Sequence, residues 1–209
     1  MLLESGQKIV FIGDSITDCD RRGAAAPYGD GYVSMVRNFL IARYPEYHLT
    51  IVNRGISGNT VRDLAARWEQ DVIKQQPDWL SVMIGINDVW RAFGGNSKEA
   101  VPLAEYTATL RSLLTQTREA TDARLILADP YMIEPNPAQP MRRQMDAFGT
   151  VVAQLADEFG AVHVPTQAAY TAALAHTRPA DWADDQIHPN GPGHAVLALA
   201  FLRALGFEW

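Results

Sequence analysis

A single cysteine, Cys19, occurs in the whole of the 209-residue chain. One thiol makes no internal disulfide and no cysteine cluster for zinc. Long apolar runs are also missing: no stretch approaches the roughly 18 uninterrupted apolar residues that a membrane-spanning helix needs. The first residues, MLLESGQK, have neither a basic start nor an apolar core. They do not read as a signal peptide, and a soluble protein of the cytoplasm is the expectation. Positive charge is scarce, with 18 Lys and Arg against 24 Asp and Glu and a net charge of −6. The paired arginines of CDRRG and MRRQM form no basic stripe, which excludes a nucleic-acid binder that works by neutralising phosphates. Repeats, low-complexity tracts and linkers are absent as well, so residues 1–209 read as one domain.

What is present is apolar sequence in short and longer blocks, 47% of the residues being hydrophobic. The runs at 8–13, 48–54, 79–85, 124–130 and 161–165 are brief and rich in β-branched residues. Each ends in Gly, Pro or polar residues, as strands do. Between them, 31–44, 60–75, 103–121 and 141–159 carry apolar residues at helical spacing, and a last helix is predicted over 193–206. This alternation predicts a parallel sheet covered by helices on both faces. Ligands of such sheets bind beyond the carboxyl ends of the strands. The residues standing there are Gly13-Asp14-Ser15, NRGISGNT (53–60), GINDVW (85–90) and DPYMIEPNPAQP (129–140).

Serine acyl transfer needs a nucleophile, a base, a group that orients the base and donors for the oxyanion. Ser15, at the exit of the first predicted strand, is a candidate nucleophile, although it is not in a G-x-S-x-G elbow. Of the five histidines, His48 opens a predicted strand, His163 lies inside one, His176 sits at a helix end and His194 begins the last helical run. His188 instead lies in the loop DDQIHPNGPG, three residues after Asp185. That spacing lets the carboxylate reach the near imidazole nitrogen and leaves the far one for Ser15. An N-cap aspartate in a surface turn gives the same pattern. Oxyanion donors are available from the Ser15 N–H, the Gly58 N–H and the Asn87 amide, residues that also suit ordinary turns.

Taken in order, GDSIT, NRGISGNT, GIND and DQIHP resemble the four sequence blocks of the SGNH hydrolases, the GDSL esterases and lipases. They span residues 13–189. The resemblance implies a flavodoxin-like three-layer α/β/α sandwich with a five-stranded parallel sheet, Ser15, His188 and Asp185 as catalytic residues, and Gly58 and Asn87 in the oxyanion hole. The fourth residue of the first block is Ile16 in place of leucine, apolar either way. The segments RDLAARWEQDV, PMRRQMD, TQAA and GFEW lie outside those blocks. They are similar to intracellular acetyl-xylooligosaccharide esterases of the family. That likeness implies an acetylated sugar substrate, no cofactor, no metal, and homo-oligomers built from dimers up to an octamer. Asp184 stands where those relatives have an aromatic residue.

Several residues keep two readings. Asp14 and Asp88 either tune the site or fix loops through backbone hydrogen bonds. Trp90 and Arg91 are candidates for a sugar subsite, as are Tyr131 and Trp182; packing is the other reading. The Pro-rich loop 130–140 reads as a wall or a subunit contact, and Cys19, with no histidine identified beside it, as a small packing residue. Three other functions are compatible with the sequence: an esterase of the same family acting on lysophospholipids, thioesters or aryl esters; a metal-dependent phosphoesterase using Asp14, Asp88, Asp185 and His188; and a non-catalytic carbohydrate binder.

Overall fold

A computed structural model describes residues 1–95 and 97–209. Five parallel strands, β1 (Lys8–Gly13), β2 (Thr50–Asn53), β3 (Trp79–Met83), β4 (Arg124–Ala128) and β5 (Val162–Val164), form one sheet in the order β2-β1-β3-β4-β5. The helices among the described residues are α1 (Ser15–Asp18), α2 (Tyr32–Arg43), α3 (Val61–Asp71), α4 (Ile86–Phe93), α5 (Leu103–Ala120), α6 (Pro140–Phe159), α7 (Thr166–Leu174) and α8 (Gly191–Ala204).

Strand order and handedness divide the helices between two layers. The step from β1 to β2 runs one way along the sheet, and every later step runs the other way. Right-handed crossovers then place α2 on one face and α3, α5 and α6 on the opposite one. Packing agrees: α8 meets α2 and α7, whereas α5 meets α3 and α6. Sequence explains why the middle strands tolerate both layers. Ile9, Val10, Phe11 and Ile12 are all fully buried, as are Trp79 and Leu80, because a strand covered on both faces needs an apolar run and not an alternating one. The edge strands β2 and β5 are shorter and partly exposed.

Phe11 joins the sheet to the α2–α8 layer. Its ring lies 6.0 Å from those of both Tyr32 and Phe201, which stack on each other at 4.9 Å. Phe11→Ala is expected to lower unfolding stability by about 3–5 kcal/mol, checked by urea denaturation.

Three helices lie where no helix is expected from the sequence: the single turn α1, which begins at Ser15, and the longer α4 and α7. The sequence predicts a strand exit at GINDVW, but residues from Ile86 onward form α4. Its Gly, Asn and Asp are the residues that begin a helix as well as those that fill a loop. The nine-residue α7 is short and alanine-rich, with no clear apolar stripe. Strand boundaries also tighten, and His48 does not open β2. It sits in the left-handed region at φ 48°, ending a 3₁₀ turn before Thr50.

Candidate active site

β1 and β3 end side by side, Gly13 opposite Met83. The chain leaves β1 toward β2 but passes on from β3 toward β4, so a crevice opens between the two carboxyl ends. Ser15 follows β1 into this crevice and Asn87 follows β3. Gly13 permits the approach, since a Cβ there would collide with the Met83 carbonyl and the Thr17 hydroxyl. Asp14 then caps α1, its Oδ1 accepting from the Ile16 N–H at 3.0 Å. Ser15 is therefore the first helical residue, and its own N–H has no intrahelical partner.

The candidate base, His188, arrives from far along the chain. The Ser15 Oγ lies 3.0 Å from His188 Nε2, and His188 Nδ1 lies 2.7 Å from Asp185 Oδ2. A carboxylate only accepts, so Nδ1 carries the proton and Nε2 presents its lone pair to the serine hydroxyl. The second carboxylate oxygen, Oδ1, accepts from the N–H groups of Ile187 (3.0 Å) and His188 (2.7 Å). Burial pushes the Asp185 carboxyl up, but the His188 ring and these two N–H groups outweigh it and hold it below the ordinary value. It therefore stays an anion beside the imidazole.

Gly58 occupies φ +83°, a conformation that favours glycine, while a Cβ there would meet nothing within 4 Å. Backbone shape, not crowding, requires the glycine. Its carbonyl accepts from Arg91 Nη2 at 2.6 Å, and among the described residues no acceptor takes its N–H. One Asn87 amide hydrogen goes to the Asn59 carbonyl at 3.0 Å, which orients the amide and leaves the other hydrogen available.

Arg67 binds this corner together and was not recognised as a site residue from sequence. Its guanidinium donates to the Gly13 carbonyl at 3.0 Å, the Arg54 carbonyl at 2.7 Å and Asn59 Oδ1 at 2.8 Å. The nucleophile strand and the Gly58 loop are thereby held by one cation. Its only trace in the sequence was membership of RDLAARWEQDV, beside the catalytic blocks and outside them. Asp18 adds a second tie, accepting from the Ser57 N–H at 3.0 Å and the Ser57 hydroxyl at 3.2 Å.

The remaining candidates separate. Trp90 is exposed and stands edge-on to His188 with ring centroids 6.2 Å apart. With Gly58, Asn87, Arg91, Gly94 and Glu99 it lines a cleft of about 240 Å³. Arg91 is held in that wall by Gly58 and by Glu99 at 2.9 Å. Tyr131 is corrected: it is 1% exposed and stacked 4.5 Å from Tyr170, so it belongs to the core and offers no surface to a sugar. The half-buried Trp182 does not line this cleft, and its Nε1 donates to the Thr177 hydroxyl at 2.7 Å. Cys19 does have a histidine beside it, His194 Nε2 at 3.4 Å. Burial pushes the thiol up to about 12 and the imidazole down to about 4, so neither is charged near neutrality. His163 meets a carboxylate too, Asp129 at 2.6 Å, but the nearby Thr166 hydroxyl donates to the Asp129 backbone carbonyl at 2.6 Å and not to the ring.

Asp14 and Asp88 do what loop-fixing carboxylates do. Asp88 Oδ1 accepts from the Val61 N–H at 3.0 Å, holding the start of α3 against α4. Burial raises Asp14 to about 7 and Asp88 to about 6. Among the described residues no three His, Cys, Asp or Glu side chains gather to hold a metal ion, so the four residues considered for a metal centre do not form one. The raised Asp14 has a consequence for stability. Between about pH 4 and pH 7 the folded carboxyl keeps a proton that the unfolded chain has released, so its contribution to stability falls as pH rises. Asp14→Asn keeps the cap oxygen and removes the titration. Relative to wild type the variant is expected to gain a few kcal/mol across that window, measured by urea unfolding at its two ends.

Known proteins resemble the chain along its whole length. An acetylxylan esterase of Geobacillus stearothermophilus is 51% identical, over 100% of this chain and 98% of its own. The crystal structure of that enzyme, Axe2, superposes with a TM-score of 0.96. Its solved forms include catalytic mutants in which a serine, an aspartate or a histidine is replaced by alanine, the last two being three residues apart. LAE5, an α/β hydrolase from the metagenome of Lake Arreo, has a TM-score of 0.94 at 45% identity, covering 99% of this chain and 98% of its own. The thioesterase 1/protease 1/lysophospholipase L1 of Escherichia coli is 29% identical over 91% of this chain and 79% of its own. Residues 11–196 match the profile of the GDSL-like lipase/acylhydrolase family. On that match, and on the likeness that runs the length of the sequence, the chain belongs to this family.

Proposed function

We propose that the protein is a serine esterase that removes acetyl groups from acetylated xylooligosaccharides or closely similar sugars. One observation carries the chemistry: the unbroken contact from Ser15 Oγ through His188 to Asp185, at 3.0 and 2.7 Å. The substrate class rests on the 51% identical esterase of G. stearothermophilus, whose mutated catalytic residues are a serine and an aspartate and histidine three residues apart, as Asp185 and His188 are. A cleft of about 240 Å³ walled by an indole and a guanidinium suits a short acyl group on a sugar, whose apolar face stacks on Trp90.

His188 takes the Ser15 proton as Oγ attacks the acetyl carbonyl. The N–H groups of Ser15 and Gly58 and the amide of Asn87 hold the oxyanion. His188 then gives the proton to the departing sugar oxygen as the ester bond breaks. Water, deprotonated by the same imidazole, attacks the acetyl-serine; acetate leaves and Ser15 recovers its proton. No step needs a cofactor.

A homo-oligomer in the cytoplasm completes the proposal. Phe39 and Trp209 are 45% and 66% exposed and pack edge-on with each other and with Phe207, an aromatic patch of the kind that copies of a chain cover. Among the described residues no helix is long and apolar enough to cross a membrane.

The substrate assignment is tested with acetylated xylooligosaccharides and with p-nitrophenyl esters of rising acyl length. The highest kcat/KM is expected on acetyl esters, with acetate released from the oligosaccharides. A preference for long acyl chains would overturn the assignment.

A further inference from the structure

The loop 130–140 and the segment PMRRQMD take no part in the relay, yet both are tied to it. Asp185 closes a tight turn with its side chain, and the residue inside that turn, Gln186, sits at φ +65°. This left-handed conformation disfavours a side chain like glutamine. The turn also lies at the surface. The Asp185 and His188 side chains are 49% and 45% exposed, and of residues 184–188 only Ile187 is buried.

What steadies the turn is a two-point contact with a single neighbouring strand of chain. The Ile133 N–H donates to the Gln186 carbonyl at 2.9 Å, and the Gln186 amide donates to Glu134 Oε2 at 3.1 Å. The other Glu134 oxygen accepts from the Asn136 N–H at 2.8 Å, which fixes the carboxylate. Behind it stands Arg142, only 6% exposed. Its guanidinium donates to the Glu134 carbonyl, to Asp146 at 2.8 Å and to Thr171 at 3.4 Å. A rigid path therefore runs from α6 through Glu134 to the residue next to Asp185.

We infer that Glu134 and Gln186 form a latch that sets the Asp185–His188 turn, making both positioning residues for the base of the reaction. The inference rests on the esterase reading above. Neither side chain lines the cleft beside Trp90; their effect passes through the orientation of Asp185. A displacement of this turn by a fraction of an ångström moves His188 Nε2 off the serine hydroxyl, which slows chemistry without weakening binding.

The test uses two readouts on the intact protein: steady-state hydrolysis of an acetyl ester, and the rate at which a fluorophosphonate labels Ser15. Gln186→Glu sets a second carboxylate against Glu134. It is expected to lower kcat and the labelling rate about tenfold or more with KM unchanged. Exchanging the pair, Gln186→Glu with Glu134→Gln, restores the amide-to-carboxylate bond and keeps an oxygen for Asn136. It is expected to return both rates to within about threefold of wild type. Gln186→Asn separates the latch from backbone strain, because asparagine accepts the left-handed conformation but is too short to reach Glu134. It is expected to label and turn over slowly although its melting temperature is undiminished.

Variants that label as fast as wild type would overturn the latch alone, as would an exchanged pair that recovers nothing. A wild-type protein that takes no label would overturn the esterase reading and the latch with it.

Discussion

Replacing Ser15 by alanine is expected to lower kcat on acetyl esters by about 10⁴-fold or more and to abolish labelling by a fluorophosphonate. The reason is local. Oγ is the atom that His188 Nε2 meets at 3.0 Å, and alanine has nothing to put in its place. The backbone stays as it is, because the cap of α1 is made by Asp14 and the loop is tied by Gly13, Asp18 and Arg67. The variant therefore keeps the oxyanion donors and the cleft, and some acceleration over water remains from these alone. Wild-type protein digested after labelling should carry the adduct on the peptide containing Ser15. A variant that keeps its activity and loses it to a chelator would mean that the serine is not the nucleophile.

Asp185→Asn is expected to cost about 10³-fold in kcat with KM changed by less than about twofold. The substitution is nearly isosteric, and the amide oxygen can still accept from the N–H groups of Ile187 and His188. With that oxygen so engaged, the amide N–H₂ faces His188 Nδ1, where a carboxylate oxygen stood at 2.7 Å. A donor there favours the tautomer with its lone pair on Nδ1 and its proton on Nε2. The ring then points an N–H at Ser15 and cannot take the hydroxyl proton. The charge lost with the carboxylate adds less than in a buried triad, because the pair is about half exposed and water screens it. A loss below about tenfold would show that Asp185 does not orient the base.

The proposed reaction centre could be read from the sequence because its members are marked by chain position as well as by type. Ser15 follows a strand buried on both faces, and Asp185 and His188 share one turn in a loop too rich in Pro, Gly and Asn to be anything else. Their contact needs only the general rule that parallel sheets work at their carboxyl ends. The supporting residues follow no such rule. Arg67 reaches Gly13 across 54 positions, and Glu134 reaches Gln186 across 52. Each looked like an ordinary charge, on a helix or in a loop, because the partners that give it a role are brought near only by the fold. Tyr131 fails for the opposite reason. A tyrosine at a strand exit suits a sugar wall, and nothing local says that Tyr170 will cover it. Arg91 belongs between these cases, since it lines the cleft while its guanidinium is already engaged by Gly58 and Glu99.

The serine and its base are 173 positions apart. During synthesis, Ser15 emerges directly behind β1, and His188 follows only after all five strands and α7. A growing chain carries the hydroxyl through the synthesis of the whole sheet before its proposed base emerges. Closing so long a loop is the slow kind of step in the folding of a parallel sheet. Recovery of ester hydrolysis after dilution from urea therefore marks the moment when the segments that carry Ser15 and His188 have met.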